Sequence, residues 1–303
     1  AMGGADFVNV LYSSFLVTDP DNPTWIARDR FFLDPGHMSP MLYAVLALTG
    51  KYTIEELKGF RQWGSVTPGH PELHPERGVE NTSGPLGQGH VMAVGCAIAE
   101  RFLQARFGDW LTHKTYAFIS DGGIQEEISQ GAGRLAGYLG LSNLIMFYDS
   151  NDIQLSTEVN AVTTEDTAAK YRAWHWNVIE VDGTDPLAMA GAIETAIEEK
   201  HRPTIIIGKT IMGRGAVTAD GACFEAKCST HGNPLSASGA SYEKTMEHLG
   251  ADPADPFHIW DDVKALYDAR NEKLRAIVKE RREAEKAWRE ANPEKAALLD
   301  SYI

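Results

Sequence analysis

Two short apolar runs, Tyr116–Ile119 and Leu144–Tyr148, carry no charge and end in polar clusters, Ser120-Asp121-Gly122-Gly123 and Asp149-Ser150-Asn151-Asp152. Strands buried on both faces of a parallel sheet have this appearance. Between them lies a helix-length segment rich in Gly and Ala, with Ile128, Leu135 and Leu139 at helical spacing. The pattern predicts a strand–helix–strand unit with both polar clusters at strand C-terminal ends, outside which an open parallel sheet has its ligand crevice.

The same alternation recurs along the chain. Phe31–Leu33, Asn177–Val181 and Pro203–Lys209 read as further strands. Pro40–Thr49, Ile54–Phe60, His90–Arg106, Glu165–Trp174 (capped by Thr163 or Thr164), Pro186–Lys200 and Ser241–Leu249 read as helices. Ala1–Thr18 has a helical apolar pattern, Phe7, Val10, Leu11, Phe15 and Leu16, with no N-cap before it, as expected of a chain that begins inside a helix. The fold class is therefore α/β, a doubly wound parallel sheet with helices on both faces. Residues 1–255 form this domain, with an N-terminus that reads as truncated. Residues 256–303 read as a helical linker: Asp261–Asn292 is long and charged, with only Val263, Leu266, Leu274, Val278, Ala284 and Trp288 as apolar positions. Such a segment is expected to be solvated and to lead outward to another domain.

Charge narrows the partners. With 28 basic and 42 acidic residues the net charge is −14, so the chain repels nucleic acid and anionic membrane surfaces. No stretch has transmembrane length or signal-peptide character. The three cysteines, Cys96, Cys223 and Cys228, match no firm zinc spacing and read as reduced thiols of a cytoplasmic protein.

Candidate chemistry gathers at the strand ends. Asp121 and Asn151, thirty residues apart, both offer oxygen, the donor a hard divalent cation prefers. Gly122 and Gly123 allow backbone amides to approach an anion. His37 follows the strand Phe31–Leu33, His70 lies in the rigid segment Thr67-Pro68-Gly69-His70-Pro71-Glu72, and His231 lies between Thr230 and Gly232. Gly84-Pro85-Leu86-Gly87-Gln88-Gly89 opens a helix without matching a dinucleotide or Walker fingerprint. Taken singly, Asp121 reads equally well as a helix cap, and each histidine as an ordinary loop residue.

Together, Phe31–Ser39, TPGHPE, GPLGQG and the Asp121/Asn151 pair resemble the N-terminal domain of transketolase, and the similarity continues through Lys209–Gly215 and Ser229–Leu235. The resemblance implies thiamine diphosphate and Mg²⁺ or Ca²⁺ as cofactors. It implies Asp121, Asn151 and the carbonyl of Ile153 as metal ligands, with Gly122 donating its N–H to the diphosphate. It implies His37 and His231 as diphosphate and active-site histidines, Gly84 and Leu86 as cofactor-ring contacts, His70 as the histidine facing substrate oxygens, and Glu126 as a buried interfacial acid. Two positions depart from the family pattern: Ser120 replaces the first Gly of the metal motif, and Asp152 stands where Gly is usual.

The implied chemistry is the transfer of a two-carbon ketol unit between sugar phosphates, with catalysis shared by a homodimer. The pyrimidine-binding and C-terminal domains of the family have no counterpart among these residues. The chain is expected to be the front part of a longer protein or one subunit of a split enzyme, inactive alone. The alternatives are a non-catalytic cofactor-binding or dimerising half, or another thiamine diphosphate enzyme such as deoxyxylulose-phosphate synthase; TPGHPE weighs against the last.

Overall fold

The computed structural model describes residues 1–302. Five strands, β1 (Arg30–Leu33), β2 (Thr115–Ser120), β3 (Leu144–Ser150), β4 (Asn177–Asp182) and β5 (Thr204–Lys209), form one parallel sheet in the order β1-β2-β3-β5-β4. Among the described residues twelve α-helices accompany it: α1 (Ala5–Val10), α2 (Ser39–Leu48), α3 (Ile54–Lys58), α4 (Gln88–Phe107), α5 (Asp121–Gln125), α6 (Glu127–Leu139), α7 (Thr167–Ala173), α8 (Pro186–Glu198), α9 (Leu235–Ser238), α10 (Tyr242–His248), α11 (Asp261–Ala291) and α12 (Pro293–Asp300).

Strand periodicity sorts the core into two layers. Phe31, Leu33, Tyr116, Phe118, Ile145, Phe147 and Ile206 pack on one face with residues of α1, α2 and α8. Their chain neighbours Phe32, Ala117, Ile119, Met146, Tyr148, Ile205 and Ile207 pack on the other with α4, α6 and α7. Successive strand side chains point to opposite faces, and both faces are covered, so the middles of β2, β3 and β5 are continuous apolar runs, whereas the edge strand β4 keeps Glu180 and Asp182 exposed. The chain runs β1→β2→β3→β4 outward and then turns back to β5. That reversal sends α8 to the opposite face from α4, α6 and α7, as right-handed crossovers require.

Three elements differ from expectation. Helix α7 is capped by Asp166, whose Oδ1 accepts the Ala169 N–H at 2.8 Å, rather than by Thr163 or Thr164. In α6 the buried positions are Ser129, Ala132, Gly133, Ala136 and Gly137, while Ile128, Leu135 and Leu139 face outward. Small residues win the inner face because neighbouring backbone lies against it: a Cβ on Gly137 would sit 1.7 Å from the Trp174 carbonyl oxygen.

The long charged helix α11 does not lead outward. It lies along the domain, burying Tyr267, Arg270, Leu274 and Val278. Its cations find partners that spacing along the helix could not show: Arg282 pairs with Asp19 at 2.6 Å, Arg275 with Asp21 at 3.0 Å, and Arg270 donates to Leu16 O at 2.9 Å. Trp288, near its end, packs beside Phe107 and Trp110, in the small cluster that also holds Trp25, Val278 and Leu299.

Candidate active site

The C-terminal ends of β1, β2, β3 and β5 converge on a cleft of about 580 Å³, within the range of small-molecule sites. His37 enters it from the 3₁₀ turn Gly36–Met38 after β1, and Ser120, Asp121 and Gly122 from the end of β2. Asp149, Asn151 and Ile153 follow β3, Ile211 follows β5, and His231 comes from the loop after the turn Cys228–Thr230.

The carboxylate of Asp121 is buried and doubly held. Tyr148 donates its O–H to Oδ1 at 2.5 Å, and Asn151 donates its backbone N–H to Oδ2 at 3.1 Å. Burial pushes its pKa up to about 6, against those two hydrogen bonds and with Asp149 and Asp152 adding repulsion. The Asn151 amide is fixed at both ends: Oδ1 accepts the Ile153 N–H at 3.1 Å, and Nδ2 donates to Asp149 Oδ2 at 3.3 Å. Asp149 in turn accepts from the Thr210 hydroxyl. The Asn151 oxygen is thereby turned away from Asp149 and stays on the side of Ile153. After Asn151 the chain turns through Asp152, whose φ of 63° is left-handed and whose carboxylate pairs with Lys209 at 2.8 Å. The Asp at this usual glycine position is thus accommodated by an αL backbone.

His37 and His231 line this cleft, while His70 lies outside its lining. The rings of His37 and His231 lie 4.8 Å apart, centroid to centroid. Burial first, and His231 second, lower the pKa of His37 to about 4; burial lowers that of His231, whose Nδ1 is buried without a partner. His70 and Gly84 meet over Gly36: a Cβ there would lie 2.7 Å from His70 Cδ2 and 2.9 Å from Gly84 N. Leu86 rests on Gly122, 3.0 Å from where a Cβ would project. Glu126, expected to be buried, is exposed in this chain at the N-cap of α6, beside Gly87.

This arrangement fits a diphosphate and a hard cation. The donors are one carboxylate, one amide oxygen and main-chain carbonyls; no group of three or more His, Cys, Asp or Glu suited to a metal occurs among the described residues. The orphaned His231 Nδ1 and Gly122 line the same cleft. All of residues 1–303 match the transketolase thiamine diphosphate binding domain.

The chain belongs to the transketolase family.

Transketolase 2 of Escherichia coli is 43% identical over 301 residues, covering 97% of this chain and 44% of that protein. Transketolase 2 of Xanthobacter flavus is 45% identical over 275 residues, 89% of this chain and 39% of that protein. Among solved structures, transketolase from Leishmania mexicana matches with a TM-score of 0.91 at 34% identity, over 99% of this chain and 45% of that one. A transketolase from Pichia stipitis in complex with sedoheptulose 7-phosphate matches with a TM-score of 0.90 at 32% identity, over 99% and 44%. The chain thus spans less than half the length of the transketolases it matches, and it is the part that binds thiamine diphosphate. No helix among the described residues is long and apolar enough to cross a membrane.

One residue escaped the sequence reading of this transketolase domain. Asp34, wholly buried at the end of β1, accepts the Gly89 N–H at 2.9 Å, and burial raises its pKa to about 6. A lone acid between an apolar strand and a Pro-Gly pair carries no motif; only the run of glycines facing it, Gly89 and Gly123, hinted at close packing.

Proposed function

We propose that the protein containing this chain transfers two-carbon ketol units from ketose phosphates to aldose phosphates, and that this chain holds the metal–diphosphate end of the cofactor. The observation that carries the reading is the meeting of Asp121, Asn151, His37 and His231 in one cleft of a transketolase-family domain. Sugar phosphates as substrates are supported by the relative crystallised with sedoheptulose 7-phosphate.

Asp121, the amide oxygen of Asn151 and the carbonyl of Ile153 would hold Mg²⁺ or Ca²⁺ against the diphosphate. Gly122 offers its N–H, and His37 and His231 their ring nitrogens, to the same group. Gly84 and Leu86 support the cofactor ring. When bound, thiamine diphosphate supplies the electron sink for breaking and making the carbon–carbon bond. His37, held near pKa 4, is neutral at physiological pH and can both donate and accept at substrate or diphosphate oxygens. His70, exposed on its rigid loop, orients substrate oxygens from one side.

Activation of the cofactor's aminopyrimidine needs a carboxylic acid at its ring nitrogen. The cleft's own acids are committed elsewhere: Asp121 to the metal, Asp149 to Thr210 and Asn151. The acid therefore comes from the remainder of the protein or a second subunit, together with the pyrimidine-binding and C-terminal domains. Exposed apolar residues on the adjacent helices α4 and α6, Val91, Met92, Ile128, Leu135 and Tyr138, support a homodimer formed there, which would also cover Glu126. The acidic surface and the three free cysteines fit a cytoplasmic enzyme of the pentose phosphate pathway.

The test is ketol transfer from a xylulose phosphate donor. The 303-residue chain alone is expected to be inactive, and activity is expected to appear when the pyrimidine-binding half is added. Turnover by the chain alone would place the activating acid among these residues and overturn this division of labour.

A further inference from the structure

The backbone of Asp34 is locked to the sheet, its N–H donating to Phe118 O at 3.0 Å. Its side chain reaches two loops at once. Oδ1 accepts the Gly89 N–H in the first turn of α4. Oδ2 has no hydrogen-bond partner and is aimed at Gly123, where a Cβ would sit 2.2 Å from it. A Cβ on Gly89 would lie 2.6 Å from Asp34 Cα. Neither glycine could carry a side chain without displacing Asp34.

The same two loops also meet in packing contacts, and the helices that follow them are joined by His90 Nδ1 and Ser129 Oγ at 3.2 Å. Leu86 packs on Gly122, and a Cβ on Gly87 would meet Glu126 Cβ at 2.8 Å. Asp34 ties the α4 entrance to the end of β1 through its carboxyl, with the Gly89 N–H the best-formed of these bonds, and meets the Asp121–Gly123 turn by close packing against Gly123. A buried carboxyl with one unbonded oxygen is costly where a hydrocarbon could fill the space. Such a group is expected to do something that packing alone would not.

We propose that Asp34 is a positioning residue: it sets the separation between the Gly84–Gly89 entrance, which carries Leu86, and the Asp121–Gly123 turn, so that ring and diphosphate of one thiamine diphosphate molecule are held in register. This rests on the cofactor placement proposed above. Asp34 acts through Gly89 and Gly123, not by touching the metal. A ligand that uses only the Asp121–Gly123 turn should not need the register; a ligand that spans both loops should.

Isothermal titration of the full-length protein that contains this chain, with Mg²⁺ plus thiamine diphosphate and with Mg²⁺ plus inorganic pyrophosphate, separates the two. Losing the Gly89 bond in Asp34→Ala should weaken thiamine diphosphate by about tenfold and pyrophosphate by less than about twofold. Asp34→Asn keeps an acceptor for Gly89 and should stay within about threefold of wild type for both ligands. Amide exchange at Gly89 should speed up in Asp34→Ala and not in Asp34→Asn. Should Asp34→Ala not fold, Asp34→Ser, whose oxygen is too short to reach Gly89, takes its place with the same expectation. Equal losses for both ligands, or unchanged thiamine diphosphate binding in a folded Ala or Ser variant, would overturn the positioning role. Wild-type protein that binds pyrophosphate but not thiamine diphosphate would remove the cofactor placement itself, and this proposal with it.

Discussion

Asn151 donates its backbone N–H to Asp121 Oδ2 at 3.1 Å, joining residues that end two adjacent parallel strands. The register of β2 against β3, Ser120 opposite Asp149, makes the meeting a property of the sheet and not of loop flexibility. Tyr148, one turn of the strand earlier, holds the other oxygen of the same carboxylate. Removing the Tyr148 hydroxyl should loosen Asp121 without touching a ligand atom. Tyr148→Phe is expected to weaken Mg²⁺-dependent thiamine diphosphate binding by about three- to tenfold, the worth of one ordinary hydrogen bond. Titration calorimetry on the folded variant checks this.

His90 gives a pH signature. It is fully buried in α4, its Nδ1 within 3.2 Å of Ser129 Oγ and its Nε2 unpartnered. Burial lowers its pKa from 6.5 to about 4. The unfolded state therefore binds more protons than the native state between those two values, so stability rises with pH across this window and is lost as pH falls through it. The contribution is on the order of 3 kcal/mol. Denaturant titrations at pH 4.5 and 7 should show a smaller pH dependence for His90→Gln than for wild type.

Two helix glycines should respond in opposite directions. Gly137→Ala puts a Cβ into the Trp174 carbonyl oxygen, so α6 must move away from the turn before β4; a loss of about 2–3 kcal/mol is expected. Gly191 in α8 is exposed and has nothing within 4 Å of its Cβ position, so Gly191→Ala should stabilise by about 0.5–1 kcal/mol through helix propensity. Thermal melts of the two variants provide the comparison.

These contrasts show what was legible in the residues. The sheet was, because strands covered on both faces leave long apolar runs that no amphipathic helix mimics. The nearness of His37 and Asp121 was, because they follow adjacent strands at the same end of the sheet; His231 joins them from a distant loop, and His70 and Gly84 meet each other over Gly36 without lining that cleft. The inward face of α6 was not, since Ile128, Leu135 and Leu139 outweigh Ala132 and Ala136 in hydrophobicity, and only the nearness of Trp174 decides between them. The docking of α11 was not, since its stabilising partners Asp19, Asp21 and the Leu16 carbonyl lie about 250 residues away in the chain. Asp34 was not, since its role depends on two loops that close around it only in the folded domain.

The central claim is that Asp121 holds a divalent cation on the diphosphate of the cofactor. The most direct measurement is calorimetric binding of thiamine diphosphate to the full-length protein that contains this chain, with Mg²⁺ and with EDTA, for wild type and for Asp121→Asn. The Asn variant keeps an acceptor for Tyr148 and the shape of the site while removing the charge. The account predicts binding by wild type only with Mg²⁺, and loss of that Mg²⁺ dependence in Asp121→Asn. Equal thiamine diphosphate affinity in the two proteins, or wild-type binding indifferent to EDTA, would contradict it.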